Sequence, residues 1–206
     1  MTGGRVAARC TVLAVTLIAV ISSGCALLAP PGVEPDKEVL TAIPADFPAR
    51  PRRAATLLVF PPEASAVYDT TLMAYVVRPP QIAYFSRTEW AARPPQMIKG
   101  LLVRALDKSG YVGAVVTPPF AGRVGYALRT EIMALEQDFT IEPPAFHLVL
   151  RVALMAAGDA AVVATREVEL REPLPERTPH GGAVAANAAI AKALKEVAEF
   201  VHAHAT

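Results

Sequence analysis

Cysteine is scarce in this chain. The only two, Cys10 and Cys25, lie within the first 25 residues, so the remaining chain has no thiol to pair and no disulfide framework. A folded domain must then rest on its hydrophobic core. Excess charge of one sign is also lacking. Twenty Lys and Arg stand against nineteen Asp and Glu, which leaves no basic footprint and argues against a nucleic-acid partner. Long apolar runs are absent after the N-terminal segment too: no later run reaches the roughly 18 uncharged residues of a membrane-spanning helix. The motifs of common catalysts are missing. There is no Gly-x-Ser-x-Gly elbow, no phosphate-binding P-loop and no Gly-x-Gly-x-x-Gly turn.

The residues left for chemistry are few. Ser109 stands beside Gly110 at the expected end of a helix, which suits a C-cap better than a nucleophile. His147 falls in an expected strand with no cysteine or carboxylate at ligand spacing. His202 and His204 alternate at the end of an expected helix and would splay apart, so no metal site is expected. Glu142 precedes two prolines and reads as a turn residue, and Glu167 and Glu169 read as a solvated strand face. No catalytic group, no metal and no cofactor are expected, and the chain is not expected to be an enzyme.

What is present begins with an address. Arg5 and Arg9 precede "CTVLAVTLIAVI", a dozen uncharged residues, too short to cross a bilayer core of roughly 30 Å as a helix. "SSGC", residues 22–25, follows. It resembles the lipobox of bacterial lipoproteins, with Ser22 where Leu is usual, and implies residues 1–24 as signal peptide and Cys25 as the acylated residue. Losing Arg5 and Arg9 takes the positive count to 20 − 2 = 18 against 19 negatives. Ala26, in place of Asp, implies the periplasmic face of the outer membrane. Residues 25–53 are rich in proline and read as a lipidated cysteine followed by a semi-rigid tether, although "KEVLTAI" could pair as an edge strand. Residues 54–206 are the expected domain.

Within that domain the order β-β-β-α-β-β-β-β-α is predicted. "AATLLVFPP", "TLMAYVV" and "QIAYFS" read as strands, the last two as a hairpin turning at Arg78-Pro79-Pro80. "PPQMIKGLLVRALDKSG" has the spacing of a helix of about fifteen residues, opened by prolines and closed by Gly110. "GAVVTPP" is a short strand. "YALRTEIMALEQDF" alternates for part of its length, and "AFHLVLRVALMAA" and "AVVATREVELREPLP" form a hairpin across Gly158-Asp159. The last helix carries the apolar stripe Ile190, Leu194, Val197 and Val201. One-faced helices with one-faced strands predict an α+β two-layer sandwich: a mostly antiparallel sheet with two helices on one face.

The densest aromatic run, Tyr84, Phe85 and Trp90, lies between two Pro-Pro pairs. Large aromatics suit an interface as well as a core, so Phe85, Arg87 and Trp90 are the partner-binding candidates. "LMAYVVRPPQIAYFSRTEWAARPPQMIKGLL" resembles the central motif of the ABC-type transport auxiliary lipoproteins. Tyr75, Pro79 or Pro80, Ile82, Tyr84, Phe85, Trp90, Ala91, Pro94 and Pro95 occupy the motif positions, with Tyr75, Tyr84, Pro94 and Pro95 as its structural signature. The resemblance implies an accessory subunit of an ABC system that carries MCE-type substrate-binding proteins and moves lipids or other hydrophobic compounds between membranes. Its partners would be the membrane, through the lipid on Cys25, and an MCE-domain protein, whose ring shape is compatible with a homo-oligomer of this chain. Two other readings stay open: a carrier cradling an acyl chain between sheet and helices, and an activator of a cell-wall synthase.

A triacylated cysteine holds a chain firmly, at about 0.8 kcal/mol per buried CH₂. Cys25→Ser is therefore expected to move the protein from the membrane pellet to the soluble fraction on cell fractionation. Unchanged membrane association would remove the anchor.

Overall fold

The protein is described from a computed structural model, which covers residues 34–205. The expected signal peptide, Cys25 and the first part of the expected tether lie outside the described residues. Nine strands and two helices follow: β1 (Asp36–Glu38), β2 (Thr56–Val59), β3 (Glu63–Ala64), β4 (Leu72–Arg78), β5 (Gln81–Trp90), α1 (Pro94–Ser109), β6 (Ala114–Val116), β7 (Tyr126–Asp138), β8 (Ala145–Ala156), β9 (Val162–Pro173) and α2 (Pro179–His204). They form the expected α+β sandwich, one open sheet with both helices on one face.

The sheet is organised by β7. Along one edge it pairs antiparallel with β8, from Tyr126↔Ala156 to Asp138↔Ala145, and β8 continues antiparallel into β9. Its other edge is shared by three short parallel strands. β2 takes the start (Leu57↔Tyr126), β3 the middle (Glu63↔Glu131) and β4 the end (Ala74↔Glu136). β4 carries the antiparallel hairpin partner β5, and β2 carries β6. The parallel pairings were not legible in the sequence, because alternation along a strand says which face is buried and not which neighbour lies beside it.

The partial alternation of β7 has a local cause. A bulge lies between Ile132 and Ala134. Before it, Leu128, Thr130 and Ile132 are buried; after it, Leu135 and Gln137 are. One extra residue reverses which parity faces the core. On β8, Phe146, Leu148, Leu150, Val152 and Leu154 are each at most 1% exposed.

Both helices follow their local signals. α1 opens on Pro94 and Pro95 and ends at Gly110, whose φ of 66° is a left-handed conformation that suits glycine. α2 opens on Pro179 behind Thr178, whose hydroxyl accepts from the Gly181 N–H at 3.0 Å. Its stripe of Ile190, Leu194, Val197 and Val201 is fully buried, and alanines 185, 186, 189, 193 and 198 fill the space between. At Gly182 the helix lies directly on the sheet: a Cβ there would come within 1.9 Å of the Gln137 side-chain nitrogen.

Residues 35–53 correct the tether expectation. β1 pairs parallel with the end of β5, and the chain beyond it is laid along the helices as a strap. Leu40 is 3% exposed, and Ile43 and Phe47 pack on the core. Asn187 of α2 clasps the strap as a neighbouring strand would: its Oδ1 accepts from the amides of Thr41 (2.8 Å) and Ala42 (3.0 Å), and its Nδ2 donates to the Val39 carbonyl (3.0 Å). Lys108 donates to the carbonyls of Pro44 (2.8 Å) and Ala45 (2.9 Å), and the Tyr111 hydroxyl to that of Pro48 (2.7 Å). Prolines keep this stretch extended, as its composition implied, but Leu40, Ile43 and Phe47 recur every three or four residues. An extended proline-rich chain has about three residues per turn, so that spacing gives the strap one apolar side.

Asn187→Ala removes the clasp. Three hydrogen bonds at about 0.5–1.5 kcal/mol net each put the loss at about 1–3 kcal/mol after relaxation. Amide hydrogen exchange at Thr41 and Ala42 is expected to speed up far more than exchange in β8.

Candidate partner-docking surface

The sequence candidates gather on the β4–β5 hairpin, and the structure separates them. Trp90 closes β5 at 1% exposure. Its amide donates to the Thr71 carbonyl at 2.7 Å, and its indole ring is enclosed in the core, where the Nε1 has no hydrogen-bond partner among the described residues. A partner cannot reach it, which corrects its place among the binding candidates: the strand runs on four residues past Ser86 and carries Trp90 under the helical layer. Phe85 is half-buried. Its ring lies 4.5 Å from that of Tyr75, which in turn meets Phe139 at 6.1 Å, edge to face. Phe85 and Phe139 also pack against the core, and Phe85 stays partly exposed.

Arg87 is exposed and has no acidic partner among the described residues. It sits where β5 departs from its partner: Ala74 faces Tyr84 but Leu72 faces Glu89, so β5 holds more residues than β4 across this interval and arches there. Arg87 lies within this irregular interval with its side chain exposed. Tyr84 is 36% exposed, and its hydroxyl donates to the Val67 carbonyl at 3.2 Å, which pins the loop before β4 over the hairpin. Pro94 is buried and Pro95 half-buried in the first turn of α1.

A second polar constellation was not visible in the sequence. It lies on the outer face of the sheet, away from the helices. His147 on β8 lies 3.0 Å from a carboxylate oxygen of Glu169 on β9 and 3.8 Å from one of Glu136 on β7. Glu136 accepts from the Tyr68 hydroxyl at 2.8 Å, and Arg171 donates to Asp138 at 2.7 Å. Carboxylates thus meet His147 across strands, although none stands near it in the sequence. Only the strand register reveals this. Burial and the Glu136 carboxylate hold the Tyr68 hydroxyl well above the usual phenol range. Asp138 is pushed up by partial burial, but the hydroxyl and amide of Thr140 together with Arg171 outweigh that, and its carboxyl ends below the usual range. Beside these residues, Val76, Pro79, Pro80 and Ile82 complete a shallow cleft of about 290 Å³.

These contacts bind three strands to one another. His147, Glu169, Glu136, Asp138 and Arg171 are each paired with a neighbour, which suits a cross-strand tie. Ser109 donates to the Leu106 carbonyl at 2.6 Å, as a helix-end residue. His202 contacts the Pro51 carbonyl and His204 that of Phe200, so the two are held apart. Glu142 is an exposed turn residue paired with Arg177.

The fold is that of known structures. Protein XCC0632 from Xanthomonas campestris superposes with a TM-score of 0.73 at 24% identity, over 82% of this chain and 94% of that chain. The hypothetical protein CT253 from Chlamydia trachomatis superposes with a TM-score of 0.52 at 9% identity, over 74% and 98%. A search of curated protein sequences gave no match. An α+β lipoprotein domain is the class that fold and sequence together define. The family model of the ABC-type transport auxiliary lipoprotein component matches residues 39–198, and the chain belongs to that family. The match starts at Val39, at the strap and not at the first core strand, in keeping with the strap being part of the domain.

Asp138 gives the domain an acid-sensitive contact. Its folded pKa lies below the unfolded value of 3.8, so it adds stability above pH 3.8 that is lost as pH falls through the folded value. Asp138→Asn is expected to be less stable than the parent in urea at neutral pH, with the gap closing as the pH drops below 3.8. A gap independent of pH would put the stabilisation elsewhere.

Proposed function

We propose that this chain is the membrane-anchored docking subunit of an ABC transport system with an MCE-type substrate-binding protein, moving lipids or other hydrophobic compounds between membranes. The observation that carries the reading is the family match across residues 39–198, joined to the "SSGC" lipobox ending at Cys25. Acyl chains on Cys25 fix the protein to a membrane, and Ala26 after the cysteine favours the periplasmic face of the outer membrane. The role is one of holding and requires no cofactor and no catalytic group. An anchored domain raises the local concentration of its docking site for the partner, while ATPase and permease are separate chains.

Arg87 and the exposed part of Phe85 are the docking residues of this reading. Arginine and aromatic side chains carry much of the energy in protein interfaces, and Arg87 is exposed at the register shift of β5 with no acidic partner among the described residues. The tagged lipoprotein is expected to co-purify an MCE-domain protein after crosslinking. Arg87→Glu should reduce that recovery about tenfold, the effect of some 1.4 kcal/mol, with thermal unfolding unchanged because the side chain is exposed. Failure to capture any MCE protein would overturn the partner; capture unaffected by Arg87→Glu would move the docking surface elsewhere.

A further inference from the structure

The end of the sheet where β7 begins carries cations that nothing else in the domain answers. Arg52 and Arg53 line a hollow of about 700 Å³, together with Gly125 at the entry to β7 and Ala156 at the end of β8. The Arg52 guanidinium is held in place: its Nε donates to the Val112 carbonyl at 3.1 Å and its Nη2 to that of Gly113 at 2.5 Å. Arg53 is half-buried, and its Nε is shielded from water without a hydrogen-bond partner. Neither arginine has an acidic partner among the described residues. A cation drawn out of water without a counter-charge is unfavourable, and a bound anion relieves it.

A second hollow, of about 420 Å³, adjoins the first at Ala156, which lines both. It lies on the outer face of the sheet. Leu58 pairs with Ala127 and Ala127 with Met155, so the three form an apolar floor across β2, β7 and β8. Val124 and Ala160 flank it from the loops, and Phe60 stands at the far end under the Arg129 guanidinium, 5.0 Å from the ring centroid. Neither lining contains a carboxylate. The exposed apolar side chains elsewhere, Val39, Leu72, Val77, Ile82, Ile141 and Val184 among them, line neither hollow. The cleft beside His147 also differs, because its Arg171 is taken by Asp138.

Uncompensated cations beside an apolar floor match an anion that carries a hydrocarbon chain. Both volumes fall in the roughly 300–1,000 Å³ range of small-ligand sites. The floor favours hydrocarbon over peptide. β2, β7 and β8 each have strand neighbours on both sides, so their amides and carbonyls are engaged within the sheet and offer nothing to an extended chain. An acyl chain needs no such partner.

We propose that the joined hollows bind one anionic lipid, its phosphate on Arg52 and Arg53 and an acyl chain on Leu58, Ala127 and Met155. The site goes beyond the docking role and does not rest on it, because no partner protein and no residue before Arg52 takes part.

The test uses the full-length protein in vesicles of phosphatidylethanolamine and phosphatidylglycerol in equal parts. Val124→p-benzoylphenylalanine sets a photoreactive group beside the floor, and the same substitution at exposed Val184 on α2 is the reference. After irradiation, intact mass identifies what was captured. At Val124 the phosphatidylglycerol adduct is expected to exceed the phosphatidylethanolamine adduct several-fold, and at Val184 the two to be equal. Arg53→Gln, which removes no side-chain hydrogen bond among the described residues, should bring the ratio at Val124 down to that at Val184. Met155→Trp, which fills the floor, should lower both lipid adducts at Val124 with Arg53 intact. Equal ratios at the two positions, or a ratio untouched by Arg53→Gln, overturn the inference. An adduct of polypeptide mass does so too, and makes the cleft a protein interface. No lipid adduct at Val124 also overturns it, leaving at most a chain-free anion on the arginines.

Discussion

The structure depends on the two hydrogen-bonding edges of one strand. β7 is thirteen residues long and lies in the middle of the sheet, so its amides and carbonyls need partners on both sides. One side is met by β8 over the full length. The other is met in three pieces, by β2, β3 and β4, each paired over two or three residues. That division sets the rest. β4 at the end of β7 positions the hairpin with Tyr75, Phe85 and Arg87, and β2 at its start carries β6 and the opposite end of the domain. The bulge after Ile132 keeps the buried side of β7 toward the helices in both halves.

The strap adds a second long-range tie. It joins the N-terminal residues of the domain to α2, nearly 150 positions later, through Asn187. Proline would otherwise leave this stretch extended and solvated. Here its backbone groups find partners on Asn187, Lys108 and Tyr111, and its apolar side chains join the core.

Much of the fold was legible. Both helices, the two hairpins and the buried stripe of α2 follow from proline and glycine punctuation and apolar spacing, which are local properties. The docking candidates were legible only in part. Aromatic content singled out the β4–β5 hairpin but could not tell Trp90, buried in the core, from Phe85, half-buried beside Tyr75. That difference depends on where β5 ends and on its register shift against β4, and both are set by pairing with β4 and β1. The cross-strand group around His147 was hidden for the same reason. Glu136, His147 and Glu169 are far apart along the chain and meet only when three strands align.

By itself the sequence determined what local chemistry can specify: a lipobox-like address, the helix ends, the strand faces and a family signature between two proline pairs. Tertiary structure alone decided which strands share an edge, that residues 35–53 lie along the helices, and which members of the signature face solvent. The division has a physical basis. Turn and cap preferences act over a few residues, whereas register, strap docking and burial depend on groups far apart in sequence satisfying one another's hydrogen bonds and apolar surface at the same time.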